Sequence, residues 1–354
     1  MIPHSRPTLG EEEKRACAAV LDSLQIAQGE KVREFEKTLS GLLKRRYGVA
    51  VSSGTAALQL ALSSLNLSKG AEVILPSFTC VALLHAVDAV GARPVPVDID
   101  AEDFNLSVPE VKKKVRRKTG AILVPHAFGR AAQVAELLSL GIPVIEDGTQ
   151  ALGARAGDKP VGSFGVMSIF SFYATKMMTT GEGGMVLTDS RRLAEKIADL
   201  RDYDKKESYC PRTNSKMTDL EAAIGLEQAK KLPWFVERRR EIARGFHAAF
   251  QGTGVCIPRG DESRDHVYYR YVIRISQRVR EWFARFQKKG VDVKRPVFKP
   301  LHRYLKLPDR GFPQTVRAMK EACSLPIYPS MTPEECDGVC GAIREKNSLN
   351  HAYA

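Results

Sequence analysis

Nowhere in the 354-residue sequence does an apolar run approach the roughly 18 residues that a membrane-spanning helix needs. The first residues, Met1 to Leu9, also lack the basic-then-apolar pattern of a secretory signal. These absences predict a soluble, cytoplasmic protein with no membrane partner. Cysteine is sparse and irregularly spaced: seven residues, at positions 17, 80, 210, 256, 323, 336 and 340, with neither a CxxC pair nor a Cys/His cluster. Reduced thiols are the expectation. Cys336 and Cys340 would share one face of a helix, but no histidine lies near them in the sequence, and no metal is expected. No internal repeat or low-complexity segment interrupts the chain.

Acidic residues are also in deficit. Lys plus Arg number 54 against 41 Asp plus Glu, a formal net charge of +13 that will attract anions. Much of the excess falls between Arg278 and Lys306, where ten basic residues meet two acidic ones, Glu281 and Asp292. The segment has no nucleic-acid-binding motif and few interleaved aromatics, so nucleic acid is not the expected partner. Two readings stay open: a solvated helix face, or a site for a phosphorylated small substrate held by Lys294, Arg295, Lys299 or Arg303.

What is present fits a globular α/β protein with one large and one smaller domain. From Tyr47 to about Asp189, short β-rich runs alternate with helical stretches, the pattern of a largely parallel sheet covered on both faces. The expected strands are Tyr47–Ser52, Glu72–Leu75, Pro94–Asp98, Ala121–Val124, Pro143–Glu146, Val166–Ser171 and Met185–Thr188. Spaced apolar residues predict helices over Glu11–Ser23, Val32–Leu43, Ala56–Leu65 and Val134–Leu140. Asp219–Lys230 and Pro233–Phe250 read as two further helices, Pro233 suiting a first turn. After about Gly252 come a strand, Tyr268–Ile275, and helices over Arg278–Lys289 and Pro333–Arg344. The expected division is an N-terminal segment (1–30), a large α/β domain (31–232) and a smaller α+β domain (233–354).

Four features combine into one chemical suggestion. Ser53, Gly54 and Thr55 stand where a strand gives way to a helix, a position whose free N–H groups and positive dipole end suit an anion. An ordinary capped helix start reads the same way. Asp147 ends an apolar strand, in the crevice where open α/β sheets bind ligands, and Gln150 follows three residues on; a helix-capping Asp is the plainer alternative. Ser171 and Lys176 follow a buried strand, and lysine is rarely placed there without a partner or a task. The glycines of Thr180-Gly181-Glu182-Gly183-Gly184 suggest backbone pressed against a neighbour, or a simple turn. An amine, a carboxylate and an anion cradle at strand ends are what a pyridoxal-phosphate (PLP) site would need, the carboxylate keeping the pyridine nitrogen protonated.

The motifs Ser53-Gly54-Thr55-Ala56-Ala57-Leu58, Pro76-Ser77-Phe78-Thr79, His126-Ala127-Phe128-Gly129, Glu146-Asp147-Gly148-Thr149-Gln150-Ala151 and Ser171-Phe172 with Lys176 and Gly181-Glu182-Gly183-Gly184 resemble the DegT/StrS family of sugar aminotransferases. That resemblance implies the fold type I architecture of PLP-dependent transferases and a homodimer with composite active sites. It implies Lys176 as the Schiff-base lysine and general base, and Asp147 as the partner of the pyridine nitrogen. Ser53, Gly54, Thr55 and Ser171 would hold the phosphate end, Cys80 and Gln150 would lie against the ring, and Asn214 would reach the partner's cofactor. Glutamate is the implied amino donor and a keto-sugar linked to dTDP or UDP the implied acceptor, with a keto-cyclitol as an alternative. Dehydratase relatives replace the lysine by histidine, and a non-catalytic regulatory member would be expected to have lost Lys176 or Asp147; both residues are present. Two departures stand out. Cys80 occupies a position where many relatives place a ring-stacking aromatic, and Asn214-Ser215-Lys216-Met217 replaces the more usual Asn-Tyr-Arg-Met.

Overall fold

A computed structural model describes residues 1–345 apart from 262, 277 and 278. Arg278, the expected start of one helix, lies outside the described residues.

All seven expected strands form and join in one sheet: β1 (Tyr47–Val51), β2 (Glu72–Pro76), β3 (Arg93–Val97), β4 (Thr119–Pro125), β5 (Val144–Asp147), β8 (Met167–Ser171) and β9 (Gly184–Thr188). A short hairpin, β6 (Arg155–Ala156) with β7 (Lys159–Pro160), sits between β5 and β8. The strand order is β1-β9-β8-β5-β4-β2-β3. Neighbours run parallel except at β9, which is antiparallel to both β8 and β1. Every residue of β2, β5 and β9 is buried, as expected for strands covered on both faces.

Helices α1 (Glu11–Ser23), α2 (Glu30–Leu42), α3 (Gly54–Ser64), α4 (Ala82–Ala89), α5 (Val108–Lys114), α6 (Val134–Leu138), α7 (Arg191–Leu200) and α8 (Asp219–Ala249) surround the sheet. Leu58, Leu62, Leu83, Val87 and Ile197, from α3, α4 and α7, pack on one face with Val73, Leu123, Ile145, Ile169 and Val186. Phe35, Leu39, Leu226 and Phe235, from α2 and α8, pack with Phe170, Met185 and Leu187 in a second cluster. The smaller unit comprises β10 (Tyr271–Arg274), α9 (Val279–Lys288), α10 (Leu301–Tyr304), α11 (Pro313–Glu321), β11 (Ala322–Leu325) and α12 (Pro333–Arg344), with β10 and β11 antiparallel.

Two expected boundaries are corrected. Asp219–Lys230 and Pro233–Phe250 are one helix, α8, which runs through Pro233. An internal proline loses a backbone hydrogen bond at a typical cost of about 3 kcal/mol. Burial of Leu232, Phe235, Val236, Ile242 and Phe246, and a capping box formed by Thr218 and Glu221, offset that loss. The division expected at residue 232 therefore falls inside a continuous helix. Strand β10 begins at Tyr271 rather than Tyr268, because Tyr268 has φ of 50°, left-handed backbone that breaks an extended strand.

Candidate active site

The C-terminal ends of β2 and β4 and the segments that follow β5 and β8 line a cavity of about 540 Å³ whose wall includes Cys80, Gln150, Thr175, Lys176, Tyr269 and Lys299. Lys176 lies in the loop after β8, closed by hydrogen bonds from Phe172 N to Gly183 O (2.9 Å) and from Thr180 N to Phe172 O (2.9 Å). Its own N–H donates to Tyr173 O at 2.9 Å. The Nζ atom lies 5.2 Å from the centre of the Tyr269 ring and has no hydrogen-bond or ion-pair partner among the described residues. A half-buried lysine amine facing a cavity without a partner is free to react.

Asp147, at the end of β5, is buried, and among the described residues only its Oδ1 is engaged, accepting from Thr149 N at 3.0 Å. Its neighbour Glu146 fixes that position. The Glu146 carboxylate accepts from Gly162 N (2.9 Å), Phe164 N (2.7 Å), Gly165 N (2.8 Å) and His126 Nε2 (3.2 Å). Burial would raise this carboxyl, but the hydrogen bond from His126 and the backbone donors outweigh it and hold it below the ordinary carboxylate range. His126 Nδ1 accepts from Ala132 N at 3.0 Å, so Nε2 carries the proton given to Glu146. Gln150 accepts from Phe128 N at 2.9 Å and is thereby held on the cavity wall.

The anion cradle is assembled from three chain segments. Ser53 Oγ caps α3 by accepting from Ala56 N at 3.1 Å, leaving the N–H groups of Gly54 and Thr55 without intrahelical acceptors. A Cβ on Gly54 would stand 2.6 Å from the Ser171 Cβ, so only glycine lets this helix end approach β8 so closely. The glycine-rich loop is pressed against the same point, since a Cβ on Gly184 would be 2.4 Å from Ser53 O. Asn214 stands apart. It is exposed and makes no hydrogen bond among the described residues, while Ser215, next to it, accepts at its carbonyl from Ser52 N at 2.9 Å.

The basic cluster divides on inspection. Lys294 pairs with Asp292 at 2.7 Å, and Arg303 with Asp309 at 2.8 Å. Arg295 donates to the carbonyls of Lys320 and Ala322, both at 2.9 Å. Lys299 alone of the four has neither an ion-pair nor a hydrogen-bond partner among the described residues; its Nζ lies 4.5 Å from the Tyr304 ring centre, on the cavity wall. Ser215 and Lys216, which replace the usual tyrosine and arginine, turn inward to local contacts: Thr213 Oγ1 at 2.7 Å and Asp202 at 2.7 Å.

Sequence reasoning missed Tyr269 and His302. Burial would raise the Tyr269 phenol, but the Lys176 and Arg270 charges, with hydrogen bonds to Thr175 and Arg270, bring it down to about 8. Its only sequence signal is its place within an aromatic run, Tyr268-Tyr269-Arg270-Tyr271. His302 Nδ1 meets Ser77 Oγ at 2.6 Å, and Nε2 meets Asp309 at 2.9 Å. Ser77 is fully buried, so this arrangement is no nucleophile; it ties α10 to the segment carrying Cys80.

These residues fit PLP. The partnerless amine of Lys176, the unengaged oxygen of Asp147 and the free N–H groups opening α3 are the three kinds of group that aldehyde, ring nitrogen and phosphate require. Cys80 is exposed at the cavity and can pack its sulfur against a ring in place of an aromatic. Comparison with known proteins agrees. The model of the DegT/DnrJ/EryC1/StrS aminotransferase family matches residues 7–344. A GDP-perosamine synthase of Vibrio cholerae is 31% identical over 371 residues, spanning 99% of this chain and 100% of the relative. The aminotransferase TlmJ of Streptoalloteichus hindustanus superimposes with a TM-score of 0.92 at 30% identity, covering 97% of this chain and 98% of that one. Spr1654 of Streptococcus pneumoniae, solved in a PLP-form, gives 0.91 at 25% identity, with 97% of each chain covered.

Proposed function

This chain belongs to the DegT/DnrJ/EryC1/StrS aminotransferase family, and from that premise we propose that it transfers an amino group from glutamate to a nucleotide-linked keto-sugar in amino-sugar biosynthesis. The observation that carries the reading is the free amine of Lys176 beside a cavity whose wall includes Gln150, three residues after Asp147 at the end of β5. Bound PLP supplies an electron sink for the pair released when a Cα–H bond breaks. Lys176 Nζ is the base that takes and returns that proton. Asp147 Oδ2 holds the proton on the pyridine nitrogen, and the Glu146–His126 network keeps its backbone in place. Gly54, Thr55 and Ser171 receive the phosphate, and Gln150 and Cys80 bound the ring. Lys299 and the exposed Phe298 stand at the cavity mouth, where a diphosphate and a base would lie. The name of the Vibrio cholerae relative adds GDP to the dTDP and UDP expected as the carrier. We further propose a homodimer in which Asn214 completes the partner's site.

Lys176→Ala is expected to abolish both the visible absorbance of lysine-bound cofactor and all turnover. Retention of the band would move the attachment to another lysine. Asp147→Asn should fold normally yet slow the half-reaction with glutamate by at least about a hundredfold, because a neutral pyridine is a poorer electron sink. Single-turnover absorbance measurements check this. A panel of keto-sugar nucleotides and keto-cyclitols, offered to the amino form of the enzyme, identifies the acceptor.

A further inference from the structure

A second cavity, of about 400 Å³, lies on the far side of Phe104 and Phe128 from the candidate active site. Both rings line both cavities, and their centres are 5.4 Å apart, so the pair forms a shared wall. The rest of the lining comes from residues 101–103, 127 and 130 beside those rings, from the segment 256–276, which includes Arg259, Val272 and Arg274, and from Arg317 and Glu321 of α11.

The charges in this cavity do not balance locally. Asp103 is taken by Arg264 at 2.5 Å and Arg130 at 3.8 Å, and Glu321 by Arg317 at 2.9 Å. Arg130 also donates to Asp261 at 2.7 Å. Glu102, at the rim, is exposed. Arg274 and Arg259 remain, and neither has a side-chain hydrogen bond or ion pair among the described residues. The Arg274 guanidinium stacks over the Phe104 ring at 4.1 Å, and its Nε is buried with nothing to donate to. A guanidinium held flat on an aromatic keeps its edge free for a planar or tetrahedral anion.

We propose that this cavity is a binding site for a small organic anion, with a carboxylate or phosphate head on Arg274 and Arg259 and an apolar body against Phe104, Phe128 and Val272. The volume suits a ligand the size of one substituted ring. Occupation would be felt at the active site through the shared wall, because Phe128 N is the donor that positions Gln150.

The test uses the PLP-saturated enzyme, so that the cofactor's own anion cradle is filled, and measures binding by calorimetry without any turnover. Phenyl phosphate and benzoate distinguish the two head groups, and benzyl alcohol is the neutral control. At least one anion should bind, and Arg274→Met should weaken it at least about tenfold, in keeping with loss of a charged hydrogen bond. Benzyl alcohol should be bound no better by wild type than by the variant. Arg259→Gln, an exposed change that leaves the fold alone, should weaken the same anion about threefold and serves if Arg274→Met does not fold. Equal anion affinity in wild type and variants, or no anion binding at all, would overturn the proposal. Neither result bears on the transamination reading, which rests on Lys176.

Discussion

The charge of Lys176 bears on the protonation of Tyr269. The phenol is buried, a condition that by itself would push its pKa up, yet the lysine charge 5.2 Å from its ring and the neighbouring Arg270 bring it down to about 8. An ultraviolet titration of the cofactor-free enzyme should therefore show one tyrosine ionising near pH 8 that is missing from Tyr269→Phe. Removing the lysine charge in Lys176→Ala should move that ionisation upward, because phenolate loses its main electrostatic support. The sign for stability follows. The folded value lies below the unfolded value of about 10, so this group adds stability as pH rises from 8 towards 10 and the gain is lost as pH falls through 8. If the titration of Lys176→Ala matched that of the parent protein, the two groups would not be coupled.

At the level of elements, the candidate active site is built where a helix end and two strand ends meet at close quarters. Gly54 is the contact point, with room for no side chain before Ser171. Gly54→Ala should fold, since its cost is one displaced contact of about 1–3 kcal/mol, but the N–H groups opening α3 would move off the phosphate position. Cofactor affinity should fall at least about tenfold while the far-ultraviolet spectrum is unchanged; unaltered PLP affinity would place the phosphate elsewhere. The sequence carried this meeting point because strand, Ser-Gly-Thr and apolar helix follow one another without a gap. Strands were legible generally, being short apolar runs bounded by turns. Helices α4, α7 and α11 were given no bounds from the sequence: α4 is apolar nearly all round, and α7 and α11 are short, 10 and 9 residues. Pro233 misled in the opposite direction, because its local penalty is visible in sequence while the buried face that overrides it spans 31 residues. Lys176 and Asp147 were legible through their place at strand ends. Tyr269 was not, because it reaches the cavity from the smaller unit across a fold that one sequence does not reveal.

Across the whole molecule, the open matter is whether one chain suffices for one site. Asn214 is exposed and uncommitted, yet its backbone is well held: Thr213 N donates to Leu200 O at 3.0 Å and Ser215 N to Arg201 O at 2.9 Å. A fixed, unpartnered polar side chain is what an inter-subunit contact would use. Tyr203 and Tyr209, 61% and 97% exposed, lie in the preceding segment and present apolar area that a partner would cover. The competing possibility comes from the same backbone, because Ser215 O accepts from Ser52 N and so brings Asn214 near its own chain's α3. Mixing inactive variants separates the two. Lys176→Ala lacks the reactive amine, and Asn214→Ala, on the composite model, lacks the group that reaches the neighbouring phosphate. A dimer with one chain of each kind has one site in which Lys176 and the partner's Asn214 are both intact. Random pairing makes about half of the dimers mixed, each with one whole site of two, so co-refolding should restore activity approaching about a quarter of wild type. If Asn214 serves its own chain, every site in every dimer lacks one residue or the other, and verified mixed dimers that stay as weak as the parents would exclude the shared site.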